Sequence, residues 1–127
     1  MSRKAEKKEH FKIANTFIDK GVTIQAQKLS GSESVRIDGI YIGDIELDSY
    51  LQVGETGRIE GNVQVSYALI AGEVHGNILC NNTVHLSDKA RIHGNVESKS
   101  IIIDKGAVFH GFCETRKIEP ASGVVVL

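Results

Sequence analysis

Several residue types are scarce in this sequence, and their scarcity bounds what the protein can be. Trp is absent, Pro and Met occur once each, Cys twice, and aromatic residues make up 6% of the 127 positions. No apolar run approaches the roughly 18 residues that a membrane-spanning helix requires, and nothing resembles a signal peptide. The formal net charge is −1, so no overall field favours nucleic acid. We expect one domain in the cytoplasm, without a nucleic-acid partner.

Glycine, in contrast, is abundant, and it marks an internal repeat. Residues 58–63, 73–78 and 91–96 are three copies of one phrase, in which Gly-Asn stands between apolar positions. Looser copies lie at residues 41–45 and 109–113. The marker residues Gly43, Gly61, Gly76, Gly94 and Gly111 are successively 18, 15, 18 and 17 positions apart. A mean step of about 17 residues is in the length range of solenoid repeats.

A second part of the repeat indicates the kind of solenoid. An apolar-x-apolar pair precedes each glycine phrase: Thr16/Ile18, Val35/Ile37, Leu51/Val53, Ala68/Ile70, Val84/Leu86 and Ile101/Ile103. Six or four residues lead from each pair to the next apolar position, which predicts one turn in two lengths. The short groups alternate with period two, as strands with one buried face do. Each unit is therefore predicted to be one coil of a β-helix, with Gly and a ladder of Asp44, Asn62, Asn77 and Asn95 at a corner.

The first 15 residues stand outside the repeat. They hold the basic residues Arg3, Lys4, Lys7, Lys8 and Lys12 and two Glu, a net charge of +3 that leaves −4 on the rest of the chain. We predict a flexible tail that, with Phe11, contacts an anionic membrane surface, since each basic residue near such a surface contributes about 1 kcal/mol. A solvated tail without a partner is the alternative. Residues 16–119 are assigned to the β-helix and residues 120–127 to a C-terminal tail.

The segments 16–24, 35–45 and 106–113, together with the Gly-Asn coils, resemble the bactofilins, polymer-forming cytoskeletal proteins of bacteria. The resemblance covers about residues 16–115 and is most specific over 35–45. It implies an all-β fold, a single-stranded right-handed β-helix of about six coils between disordered tails. It also implies nucleotide-independent, end-to-end filaments beneath the cytoplasmic membrane that organise cell-shape, envelope-growth or motility factors. A phenylalanine of the last coil is tied to assembly in this family, and the matching position is Phe109.

The two ends of such a helix are the predicted polymerisation interface. Each end exposes a cross-section of the apolar core and a rim of unpaired backbone groups, and soluble solenoids usually need polar caps. Phe112 occupies the corner position that Asp or Asn holds in the four preceding coils. We expect Phe109 and Phe112 to form one docking end and Ile18 and Ile24 the other. A Phe109 that only plugs the core would also fit this pattern.

Enzymatic alternatives have less support. His75, His93 and His110 each precede a repeat glycine and are predicted to lie on one outward row, with Glu60 one coil earlier. A straight row lacks the convergent ligands of a metal site, so we interpret these residues as surface histidines and expect no metal and no cofactor. No nucleophile with a neighbouring base and no phosphate-binding glycine loop is visible. A discrete oligomeric β-helix enzyme, acyltransferase-like or carbonic-anhydrase-like, and a monomeric binding module remain the alternatives to a non-enzymatic scaffold.

Overall fold

The computed structural model describes residues 16–118, with side chains described as far as Glu114. The predicted tails, and the domain boundary at residue 119, lie outside the described residues. Within this part of the chain there are thirteen β-strands and no helix. The strands are β1 (Thr16–Ile18), β2 (Thr23–Gly31), β3 (Val35–Ile37), β4 (Ile40–Leu47), β5 (Tyr50–Val53), β6 (Arg58–Glu60), β7 (Val63–Ile70), β8 (Glu73–His75), β9 (Ile78–Leu86), β10 (Arg91–His93), β11 (Val96–Ile103), β12 (Val108–His110) and β13 (Cys113–Ile118).

All twelve strand pairs are parallel, and each joins equivalent positions of neighbouring coils. The chain therefore winds as a solenoid of about six coils with three faces. The first face holds β1, β3 and β5 and the closing residues of β7, β9 and β11. The second holds the opening residues of β2 and β4 together with β6, β8, β10 and β12. The third holds the closing residues of β2 and β4 and the opening residues of β7, β9, β11 and β13. Long strands such as β7 run from the third face of one coil to the first face of the next.

The core consists of rows of inward side chains, and each coil contributes one side chain to each row. On the first face the predicted pairs from Val35/Ile37 to Ile101/Ile103 are all buried. The second face contributes a single inward row: Tyr41, Ile59, Val74, Ile92 and Phe109. Because each buried residue packs on its counterpart in the coils above and below, the core is one continuous apolar column.

The turn between the first and second faces has the two predicted lengths. It has two residues between β3 and β4 and between β7 and β8, and four residues in the other four coils. The four-residue turns close with a backbone hydrogen bond, for example from the Gly57 N–H to the Gly54 carbonyl (2.8 Å) and from the Ala90 N–H to the Ser87 carbonyl (3.0 Å). Much of the variation in repeat length therefore lies in one turn, which has either two or four residues.

The corner between the second and third faces requires glycine. Gly43, Gly61, Gly76, Gly94 and Gly111 have φ between 143° and 153°. A Cβ at Gly76 would lie 1.9 Å from the carbonyl oxygen of Gly61 in the preceding coil, and at the other four corners the same distance is 1.9 to 2.1 Å. The backbones of consecutive coils approach too closely here for any side chain.

Both cysteines are free. Cys80 is buried among the third-face rows, and Cys113 lies two coils further along in a neighbouring row. Burial raises the pKa of both thiols, which keeps them protonated and unreactive at neutral pH.

We expect Gly76→Ala to destabilise the fold by more than the roughly 1–3 kcal/mol of backbone strain alone, because its Cβ also meets the carbonyl of Gly61. Gly21→Ala is the matched control, since Gly21 also has positive φ (90°) but no atom lies within 4 Å of its Cβ position. Urea-induced unfolding followed by circular dichroism measures both. Equal losses of stability for the two variants would contradict a steric role of the corner.

Candidate functional site

The predicted corner ladder is present, and it orders one edge of the third face. The backbone N–H groups of Asn62, Asn77, Asn95 and Phe112 each donate to the side-chain Oδ1 of the corner residue one coil earlier, at 3.0, 3.1, 3.0 and 3.0 Å. The first acceptor of the series is Asp44. These four corner amides are therefore satisfied by the preceding coil, which links consecutive coils through side chains as well as backbone.

The ladder ends at the C-terminal coil because Phe112 has no side-chain acceptor to offer. Its ring is 77% exposed. Phe109, in contrast, is only 9% exposed and closes the inward row of the second face. Strand β12 pairs only with β10, and β13 only with β11, among the described strands. Among the described residues, this end of the solenoid therefore presents strand edges without a partner beside an exposed aromatic ring.

The N-terminal coil presents the opposite end. Strand β1 pairs only with β3 and β2 only with β4 within the described part of the chain. Ile24 is 38% exposed, although its counterpart Tyr41 one coil later is fully buried. Ile18 is buried in the first-face row. Of the two residues predicted for this end, Ile24 is therefore the accessible one.

A shallow groove of about 670 Å³ follows the third face between the ladder and an outward row of side chains. Glu46, Leu79 and Glu97 stand on that row, and Glu114 and Phe112 reach the groove at its C-terminal end. At the other end the Lys28 ammonium lies 2.9 Å from the Glu46 carboxylate, and this hydrogen bond raises the pKa of Lys28. The sequence does not predict this groove, because alternation shows which residues point outward but not the curvature of the surface between two rows.

The outward histidine row is also where the repeat places it. The rings of His75 and His93 are stacked with centroids 4.5 Å apart and planes within 6°, and His93 and His110 follow at 5.0 Å and 14°. Glu60 lies in register with His75 one coil earlier. Glu73 is a further neighbour of this row that the repeat pattern does not indicate, and its Oε2 lies 2.6 Å from Nε2 of His75. Their i, i+2 spacing on β8 puts both on the outward side, which was a usable signal.

The residues predicted for membrane contact, Arg3 to Lys12, lie outside the described residues. Over residues 16–118 the structure has no helix of the length and apolarity needed to cross a bilayer.

With its parallel coils, stacked apolar rows, glycine corner and polar ladder, the protein is a single-stranded β-helix. Comparison with known families assigns it more narrowly: the family model described as "Bactofilin: Polymer-forming cytoskeletal" matches residues 16–114. The chain belongs to the bactofilin family, whose model describes polymer-forming cytoskeletal proteins. The predicted resemblance is confirmed.

Two curated relatives come from Myxococcus xanthus. Bactofilin BacO is 34% identical over 99 residues, which are 78% of each chain. Bactofilin BacP is 31% identical over 108 residues, 85% of this chain but 45% of BacP. Among solved structures, the crystal structure of a phenylalanine-to-arginine mutant of the bactofilin from Thermus thermophilus has a TM-score of 0.53 and 26% identity, over 83% of this chain and 97% of that one. The predicted fold class, an all-β right-handed β-helix, is confirmed.

We expect Asn95→Ala to lower stability by about 0.5–1.5 kcal/mol, the net contribution of one hydrogen bond, because it removes the acceptor of the Phe112 amide. Asn95→Asp is the matched control, since the carboxylate keeps an acceptor at the same place. Urea-induced unfolding of the two variants tests this expectation. If Asn95→Ala were as stable as the wild type, the ladder hydrogen bonds would form because the coils stack, and they would not themselves stabilise the stacked coils.

Proposed function

We propose that the protein assembles end to end into filaments without nucleotide, with Phe109 and Phe112 at one docking end and Ile18 and Ile24 at the other. The filament serves as a scaffold at the cytoplasmic face of the membrane for cell-shape, envelope-growth or motility factors. The observation that carries the proposal is the exposed ring of Phe112 at the point where the ladder stops, beside strand edges that have no partner among the described strands.

Continuing the strand ladder across the junction is the physical basis of this assembly. Coils follow one another at about 4.8 Å, so a second protomer stacked on the last coil would pair with the free edges of β12 and β13 by strand addition. Burying one Phe side chain contributes about 1.5–3 kcal/mol, and Phe112 and Ile24 offer apolar area at the two ends. Phe109, already 9% exposed, would lose its remaining contact with water.

The basic N-terminal segment supports the second half of the proposal. Arg3, Lys4, Lys7, Lys8 and Lys12 precede the first coil directly, and Phe11 adds an apolar side chain among them. One segment contributes only a few weak contacts, at about 1 kcal/mol for each basic residue. A filament presents one segment per protomer, so many weak contacts combine into a stable attachment by multivalency.

Phe112→Arg is expected to abolish filaments while leaving the β-helix folded, because the docked interface would bury an unpaired charge whereas the unassembled protein exposes this position to water. Negative-stain electron microscopy of the full chain, without nucleotide or metal, measures assembly, and circular dichroism measures the fold. Leu79→Arg is the matched control: Leu79 is an exposed apolar residue in the middle of the rod, and this variant should still form filaments.

Filaments formed by Phe112→Arg would place the docking interface elsewhere. Discrete particles from the wild type would favour an oligomeric enzyme or a monomeric binding module. Phe109→Arg is a less informative variant, since its side chain is part of the core and its replacement also affects folding.

Deletion of residues 1–13 is expected to weaken association with anionic vesicles and to spare filament formation. The measurement is co-sedimentation with vesicles of mixed anionic and zwitterionic lipid, over a range of salt concentrations, since the contact is electrostatic. A chain with Gln at Lys4, Lys7, Lys8 and Lys12 separates charge from length and should behave like the deletion. Unchanged co-sedimentation of both variants would remove the segment from the proposed membrane contact.

A further inference from the structure

Three side chains with metal-binding atoms converge on the outward side of the second face. Glu73 and His75 are two residues apart on β8, and His93 lies directly in register with His75 on β10. Nε2 of His75 lies 2.6 Å from Oε2 of Glu73, and the two imidazole rings are stacked at 4.5 Å. One donor atom from each of the three lies within 4.8 Å of the others. The site is therefore more than a straight row of imidazoles, because Glu73 adds a carboxylate oxygen beside it.

Two arginines surround Glu73 and leave one of its carboxylate oxygens on the histidine side. Arg58 and Arg91 flank it in its own row, and Nη1 of Arg58 lies 3.4 Å from Oε1. The arginine contacts one carboxylate oxygen and His75 the other, so the oxygen on the histidine side is the one that can become a ligand.

We propose that Glu73, His75 and His93 form a binding site for a first-row divalent transition ion of the Zn²⁺ type, with water completing the coordination. Two imidazoles and one carboxylate are a donor set typical of zinc sites that keep an open position. The same set is poorly suited to Mg²⁺ and Ca²⁺, which prefer oxygen ligands. The site is independent of filament assembly, since its ligands lie on the side of the rod in the fourth and fifth coils.

Binding requires a small rearrangement that the side chains allow. Around a tetrahedral ion with ligands at roughly 2.0–2.1 Å, donor atoms are about 3.3 Å apart, so the present separations of up to 4.8 Å must shrink. His93 is exposed and can turn its ring, whereas Glu73 and His75 are half-buried and already in contact. Because the ligands come from β8 and β10, a bound ion would connect two successive coils.

Titration of the full chain with Co²⁺ and with Zn²⁺ tests the site, with tetrahedral Co²⁺ read by its visible absorption and Zn²⁺ by calorimetry. We expect one site per chain that is lost in His93→Gln and in Glu73→Gln, each weakening affinity by at least roughly tenfold, the lower end of what removal of an outer-shell partner costs in metal sites. His85→Gln is the matched control, because His85 is another outward histidine, paired with Asp104 on a different face. It should bind both ions as the wild type does.

Equal binding by the wild type, His93→Gln and Glu73→Gln would overturn the proposal and assign the ions to other residues, such as His10. A response to Mg²⁺ as large as that to Zn²⁺ would also overturn it, since it would reflect charge alone. Circular dichroism of each variant, and a second variant His93→Ala, show that a loss of binding does not come from misfolding. Electron microscopy of His93→Gln should show unchanged filaments, so failure of this site is distinguishable from failure of assembly.

Discussion

The stacking of one coil on the next at the glycine corner is the constraint on which the rest of the structure depends. A Cβ at Gly61, Gly76 or Gly111 would lie 1.9 Å from a carbonyl oxygen of the preceding coil, so the backbones meet there without any intervening side chain. This close approach brings the amide of each following residue to the side-chain oxygen of its counterpart one coil earlier. Glycine and asparagine therefore act together: one lets the coils approach, and the other satisfies the amide that the approach leaves without a backbone partner.

Once the corner sets the register, every outward residue acquires a vertical neighbour of equivalent position. Where the repeat places like residues one above another they stack, as the imidazoles of His75, His93 and His110 do. Where it places unlike charges together they pair, as Glu73 does with Arg58. The surface chemistry of the rod is therefore a set of rows, and a second residue on the same strand, two positions away, can turn a row into a cluster.

The repeat, the inward rows, the two turn lengths and the corner ladder could all be predicted from the sequence, because each depends on periodicity alone. The prediction was less complete where periodicity is interrupted. In the first coil one extra residue lies between Ala26 and Lys28, so a register shift places Lys28 beside Asp44 as the first member of the corner row. Pairing Glu73 with His75 depends on side-chain rotamers, and the third-face groove depends on the curvature of the coil. The spacing of apolar residues encodes neither the side-chain rotamers nor the curvature of the coil.

The last coil of the solenoid differs from the middle coils in the residue at its corner. In the interior, the corner residue of each coil carries a side-chain oxygen that accepts a hydrogen bond from the corner amide of the next coil. Phe112 keeps the backbone half of the ladder, since its amide still donates to Asn95, but it replaces the acceptor by an apolar ring. A coil that follows it within the same chain would leave its corner amide unsatisfied, at a cost of about 1–3 kcal/mol if buried. In the assembly proposed above, the first coil of a second protomer would bring the apolar side chain of Ile24, which is exposed at the N-terminal end, towards this ring. The residue that ends the ladder is therefore also the residue that adds exposed apolar area to the C-terminal coil.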